Sequence, residues 1–163
     1  MEQTQHDQRM IGALLRIAFQ AVNTRIAEGL AASGYTDLRP AHFAVFQHMR
    51  PQGRRLTELA ELAQMTKQSM GFLVDYLEER GYVERKLDPV DRRARIVHYT
   101  DKGWEVEKRA REVIGEIESQ WAGCVGEERF QQFRQTLKDI ITQIDIGTHP
   151  QSLQGGGRDA HEQ

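Results

Sequence analysis

Four consecutive polar residues, Thr66, Lys67, Gln68 and Ser69, stand directly ahead of an apolar run with helical spacing. A helix that begins with hydroxyl, ammonium and carboxamide groups offers donors to phosphate oxygens, and its first-turn amides add to them. A glutamine so placed can also pair bidentately with adenine in a major groove. Along the same helix Met70, Leu73, Val74 and Leu77 share one face, and Gln68, Phe72, Asp75 and Glu79 share the other. The first face is built to pack and the second to meet something. A second set of cations, Arg92, Arg93 and Arg95, lies beside Asp91 farther along the chain. Arginine suits the negative potential of a narrow minor groove. Thr57 supplies one more hydroxyl at the head of an earlier apolar segment, where it can cap residues 58–63. Phe72 is the exception among these polar groups. It can touch a thymine methyl, or it can pack sideways against a neighbouring element.

The elements that must position these residues follow from periodicity. Ile11, Leu15, Ala18, Val22, Ile26 and Leu30 form one stripe on a long first helix that Gly34 ends. Pro40 opens a second helix, which Pro51 and Gly53 stop. Two helices then follow with only Gln64 and Met65 between the first and the Thr66 cap of the second. Gly81 closes the latter as a left-handed terminus. Residues 82–86 and 95–99 read as strands, joined by a charged tip whose Asp88-Pro89 step is turn chemistry. Thr100 and Asp101 start a long helix striped by Val106, Ala110, Val113, Ile117 and Trp121. Phe130, Phe133, Leu137, Ile140 and Ile144 mark a final one.

Helix, tight turn, helix and basic hairpin make a winged helix-turn-helix, whose second helix enters the major groove. The expected fold is mainly α, with a small β-hairpin wing, and the winged module is flanked by long dimerisation helices. The expected divisions are a flexible terminus at 1–9 and a helical dimerisation region at 10–34 with 104–146. The DNA-binding domain occupies 35–103, and 147–163 form a disordered tail. The outer stripes are too long for the small middle domain to cover, so a homodimer is the economical arrangement.

The chain has 163 residues, with 22 Lys and Arg against 24 Asp and Glu, for a formal charge of −2. That total alone disfavours a nucleic-acid binder, but the distribution does not. Residues 50–102 carry eleven basic and nine acidic side chains, and residues 80–95 carry six against three. Basic charge therefore gathers where DNA would be met, and binding there is salt-dependent. No apolar run approaches the roughly 20 residues that span a bilayer. Residues 1–9 lack the apolar stretch of a secretory leader. One cysteine excludes an internal disulfide and fits a cytoplasmic protein.

Leu56-Thr57-Glu58-Leu59-Ala60, the run Leu77 to Arg85, the run Asp88 to Arg95 and Tyr99-Thr100-Asp101-Lys102-Gly103 together resemble the MarR family of transcriptional regulators. The resemblance covers residues 11–144 by element order and is specific from Leu56 to Gly103. It implies a homodimer joined through the first and last helices, with two winged modules on a pseudo-palindromic operator of double-stranded DNA. It also implies that Arg93 enters the minor groove with Asp91 bracing it by a salt bridge. The chain departs from the family at Gly71-Phe72, where members often carry Thr-Arg. Similar regulators are mostly repressors that bind small aromatic or phenolic effectors in a cleft beside the winged module. The matching residues here are Leu15, His42, Phe46, Met49 and Trp104.

Other functions find little footing. There is no Gly-rich phosphate loop, nucleophile elbow or paired acid–base motif, so no enzyme is expected. The six histidines are scattered, with no metal-ligand spacing, and no cofactor is implied. Cys124 has no basic neighbour to activate it and reads as a structural thiol. The rival to DNA binding is a winged-helix module that binds a protein partner, which the acidic Asp75 and Glu79 would suit.

Overall fold

The computed structural model describes residues 10–148, and side chains to residue 144. Of the terminal segments expected to be flexible or disordered, 1–9 and 147–163, residues 1–9 and 149–163 lie outside the described residues, whereas 147–148 are helical. The helices are α1 (Ile11–Ala32), α2 (Phe43–His48, preceded by a 3-10 turn at Pro40–His42), α3 (Leu56–Leu62), α4 (Lys67–Glu79), α5 (Asp101–Val125) and α6 (Glu127–Thr148). The strands are β1 (Arg54–Arg55), β2 (Val83–Leu87) and β3 (Arg95–Tyr99). They form one antiparallel sheet in the order β1-β3-β2, with Val83 opposite Tyr99 and Leu87 opposite Arg95. Periodicity had not foreseen β1, because two residues carry no alternation. No described helix is long and apolar enough to cross a membrane.

The described residues divide at Glu118 and Ser119, within α5, into two compact units. The first holds α1, the winged module and most of α5. Its core gathers Leu30, Val45, Leu59, Met70, Val74, Leu77, Val83, Val97 and Val106, all essentially inaccessible. In the second, Ala122 and Phe130 are buried, while Phe133, Ile140, Ile141 and Ile144 remain exposed.

The turn between α3 and α4 is short because two backbone bonds close it. The Met65 N–H donates to the Ala60 carbonyl at 2.8 Å and the Gln64 N–H to the Glu61 carbonyl at 3.0 Å. This is the Schellman closure, and it places Gln64 at a φ of 52°, a region where glycine is the usual occupant. Thr66 caps α4 as expected, accepting from the Ser69 N–H at 3.1 Å. Thr57 does not cap α3. The helix starts two residues earlier than expected, with Arg55 in the cap position, so Thr57 lies within the first turn.

At the other end of the module, α5 is pinned to the end of α4. The Thr100 hydroxyl donates to the Gly81 carbonyl at 2.6 Å and accepts from the Gly103 N–H at 3.1 Å. Lys102 donates to the Arg80 carbonyl at 2.9 Å and sits 3.9 Å from the centre of the Tyr82 ring. Tyr82 donates to Asp37 Oδ1 at 2.6 Å, and Tyr76 donates to the Asp37 carbonyl at 2.7 Å.

His42 belongs to this buried polar cluster rather than to the surface. It is 7% exposed, stacks on Tyr76 at 4.2 Å, and its Nδ1 accepts the Arg39 N–H at 3.0 Å. Burial, reinforced by the nearby Arg80 charge, holds its pKa below the ordinary histidine value. Burial, with Arg54 nearby, lowers His48 in the same way. A histidine that resists protonation only when folded makes the unfolded chain the better proton binder. Stability is therefore full above about pH 6.5 and declines as pH falls through that value toward the folded pKa values. Urea unfolding at pH 7.5 and 5.5 checks this. The midpoint falls at the lower pH, and His42→Gln, which keeps an acceptor for Arg39, removes about half of that fall. An identical fall in the variant would locate the effect elsewhere.

Candidate nucleic-acid interface and ligand cavity

The outward face of α4 carries the predicted residues together. Thr66, Lys67, Gln68, Ser69 and Phe72 are all exposed, on the first half of the helix, while Met70, Val74 and Leu77 are buried beneath them. Phe72 is 65% exposed. It edges an open groove that Met65, Ser69 and Leu73 share with Ala41 of the 3-10 turn and Ala44 of α2, so its ring meets both solvent and apolar surface.

The acidic residues of this face are ion-paired, Asp75 with the wing and Glu79 with the end of α4. Arg85 on β2 donates to Asp75 Oδ1 at 2.6 Å, pairs with Glu78 Oε2, and its backbone N–H reaches Glu78 Oε1 at 2.9 Å. Glu79 lies 3.7 Å from Arg80. Lys86 is paired with Glu84 at 2.7 Å. What remains is a separation of tasks among the basic residues. Arg80, Arg85 and Lys86 are ion-paired, whereas Arg92, Arg93 and Arg95 are exposed and make no ion pair among the described residues. The unengaged positive charge of the wing is thus concentrated at and beside its tip.

The tip is organised differently from expectation. Asp91 does not salt-bridge Arg93; its Oδ1 accepts the Arg93 backbone N–H at 3.1 Å, leaving the guanidinium unpaired. The ion pair belongs to Asp88, which is 4% exposed. Its Oδ1 accepts from the N–H groups of Val90 at 2.8 Å and Asp91 at 3.3 Å, and its Oδ2 accepts from Arg55 Nε at 2.8 Å and also from Nη2. The Val90 amide, followed by Arg55, holds the Asp88 carboxyl below the usual carboxylate range. The Asp-Pro step signalled a turn residue, but a partner 33 positions earlier on an unpredicted strand gives no local signal.

A cavity of about 320 Å³ lies beside the winged module, between α1, α2, β3 and the first half of α5. Phe46 stacks on Tyr99 at 5.6 Å, Tyr99 meets Trp104 at 4.7 Å, and Met49, Arg50 and Arg111 complete that side. Three of the predicted pocket residues, Phe46, Met49 and Trp104, therefore share one cavity. Leu15 and His42 do not line it. The α1 contribution comes from Ile26 and Leu30, three to four turns past Leu15, and the His42 ring is committed to Tyr76. Tyr99 was missed, because its alternation on a strand read only as core. Its hydroxyl donates to the Phe46 carbonyl at 3.0 Å, and burial raises its pKa well above the tyrosine range.

Cys124 is exposed rather than packed, so the structural role expected for it is not what the fold gives it. Among the described residues no group of His, Cys, Asp and Glu is arranged to hold a metal ion.

Comparison with known proteins places these features in a family. Residues 36–94 match the MarR family model. The HTH-type transcriptional regulator YkoM of Bacillus subtilis (strain 168) is 28% identical over 89 residues, 54% of this chain and 56% of YkoM. The matched stretch thus spans little more than half the length of that relative. The transcriptional repressor CouR, solved bound to a 23-mer DNA duplex, superposes with a TM-score of 0.65 at 27% identity, over 81% of this chain and 92% of CouR. CouR from Rhodococcus jostii RHA1 bound to p-coumaroyl-CoA superposes with a TM-score of 0.64 at 27% identity, over 85% and 94% of the two chains. Order of elements, winged sheet, matched sequence and shared fold agree: residues 36–94 match the MarR family of transcriptional regulators, and the chain is similar in fold to the winged helix-turn-helix repressor CouR.

Proposed function

We propose that the chain is a cytoplasmic, ligand-responsive repressor that binds a pseudo-palindromic operator as a homodimer. The observation that carries this is the distribution of unengaged charge. Arg92, Arg93 and Arg95 at the wing and the donors of Thr66 to Ser69 on α4 lie on one module, while the acidic residues of α4 are ion-paired. The protein-interaction alternative drew on the missing arginine at Phe72 and on the acidic Asp75 and Glu79; the pairing of both acids weighs against it. Dimerisation is supported by the exposed apolar residues of α1 and of α6, which leave large hydrophobic side chains to be covered in each unit. Operator half-sites then lie about one helical turn, roughly 34 Å, apart.

The effector proposed for the 320 Å³ cavity is a small aromatic or phenolic molecule. The Phe46–Tyr99–Trp104 wall offers ring stacking, and Arg50, which makes no ion pair among the described residues, offers a partner for a carboxylate or phenolate. That CouR has been solved with both a duplex and an aromatic thioester supports this pairing of functions. An occupant shifts the balance between spacings of the two recognition helices, and a spacing that misses one half-site loses the bivalent contact. The test is a mobility shift with the DNA flanking the gene, repeated across a panel of phenolic acids. Binding, followed by release with one compound, is the expected result. Absence of duplex binding at low salt would end the proposal.

Phe72 gives a sharper expectation. With deoxyuridine in place of thymidine in the half-sites, wild-type affinity falls about fivefold, the worth of a methyl contact, whereas Phe72→Ala does not distinguish the two duplexes. An equal response from both proteins would assign Phe72 to packing along its groove.

A further inference from the structure

We infer that Arg55 and Asp88 are positioning residues for the wing: their partly buried ion pair ties the tip that carries Arg92 and Arg93 to the start of the helix-turn-helix. The inference rests on the DNA-binding function proposed above and adds to it residues that neither touch DNA nor belong to the reading face.

Asp88 occupies the last position before the tip and is almost inaccessible, and three kinds of contact converge on its carboxylate. One oxygen holds the Val90 and Asp91 amides. The other receives the Arg55 guanidinium through two nitrogens. Its own N–H donates to the Ala94 carbonyl at 3.0 Å, and the Ala94 N–H donates to the Asp91 carbonyl at 2.9 Å, so the loop is closed across its base. Asp91 in turn fixes the Arg93 backbone. The path from Arg55 to Arg93 is therefore continuous: guanidinium, Asp88 carboxylate, Asp91 amide, Asp91 carboxylate, Arg93 amide. Arg55 is an apt anchor, because it is at once a strand residue paired opposite Ile96 and the cap position of α3. A paired, hydrogen-bonded carboxylate of this kind holds one loop geometry, where a solvated hairpin tip samples many.

Asp88→Asn keeps the size of the side chain and an acceptor for the Val90 amide while discarding the charge that holds Arg55. Arg55→Gln removes the anchor, and Arg55→Lys restores the charge without the fork. Each is measured with the full chain on the duplex that wild type binds. Expected for Asp88→Asn and Arg55→Gln is binding weakened about tenfold, with a log–log salt slope shallower by about one for each wing cation that leaves the duplex. Arg55→Lys lies between these and wild type. Hydroxyl-radical protection is lost under the wing and kept under α4. Because the pair acts through the wing, adding Asp88→Asn to Arg93→Ala weakens binding by less than the product of the two single effects. A thermal midpoint measured alongside identifies any variant that fails to fold, in which case Arg55→Lys decides, alone and combined with Arg93→Ala. Wild-type slope and wing protection in a folded Asp88→Asn protein would overturn the inference while leaving DNA binding intact. Failure of the wild type itself to bind duplex would overturn both.

Discussion

Arg93→Ala weakens operator binding by about 30-fold or more at matched salt, since each arginine lost from a groove costs on the order of 1–3 kcal/mol and the proposed dimer loses two. The structure gives reasons for so large an effect. The Arg93 guanidinium is exposed and makes no ion pair among the described residues, so it brings its full charge to the duplex. Its backbone is fixed by the Asp91 carboxylate, so less conformational freedom is lost on binding than from a loose loop. The change leaves the core untouched, and the unfolding midpoint stays within about 1 kcal/mol of wild type. Mobility shifts at several salt concentrations check it. The variant retains binding through α4 but shows a shallower salt dependence. Wild-type affinity in Arg93→Ala would show that the wing does not reach DNA.

Gly103→Ala produces the largest expected loss of stability. A methyl group there would lie 2.0 Å from the Tyr82 carbonyl oxygen and 3.1 Å from the Tyr99 ring. The obstructing atom is backbone and is itself engaged, accepting from the Thr100 N–H at 3.2 Å and from the Thr100 hydroxyl at 3.1 Å. Relief therefore requires the start of α5 to move away from the end of α4, which strips Thr100 of its bonds. The cost is about 3 kcal/mol, the upper part of the range for overpacking, and lowers the thermal midpoint by about 10 °C in a chain of this size. Thermal unfolding followed by circular dichroism measures it. An unchanged midpoint would mean that the junction is loose.

Much of this architecture could be read in advance because its signals are local. Thr66 before an apolar run, Gly81 after one and Asp88-Pro89 between two strands each specify a backbone geometry within a few residues. The reading face of α4 followed from helical period alone. The relations across the chain were not legible. Arg85 read as one more wing cation, yet it spends its charge on Asp75 and Glu78. The resemblance gave Asp91 a bracing salt bridge to Arg93, whereas the ion pair at the tip is that of Asp88 with Arg55, which a strand only two residues long presents. His42 read as a pocket residue because nothing nearby announces Tyr76, 34 positions away, as its stacking partner. The ligand cavity was half legible. Phe46, Met49 and Trp104 come from segments bordering the winged module, but which turn of α1 closes the cavity depends on how that helix packs.

The tie between Arg85 and α4 also bears on how specificity in this protein can be changed. Arg85 is only 18% exposed, and both of its carboxylate partners come from the second half of the recognition helix. A helix transplanted whole from another regulator, lacking acids at positions 75 and 78, would leave a nearly buried guanidinium without compensation, a costly state. Retargeting is therefore modular only in part: positions 67, 68, 69 and 72 are open to exchange, while Met70 belongs to the core and the following turns belong to the wing as much as to the helix. A library confined to the first half would explore new operators on an intact scaffold, and one extending into the second would lose folded members before it gained new readers.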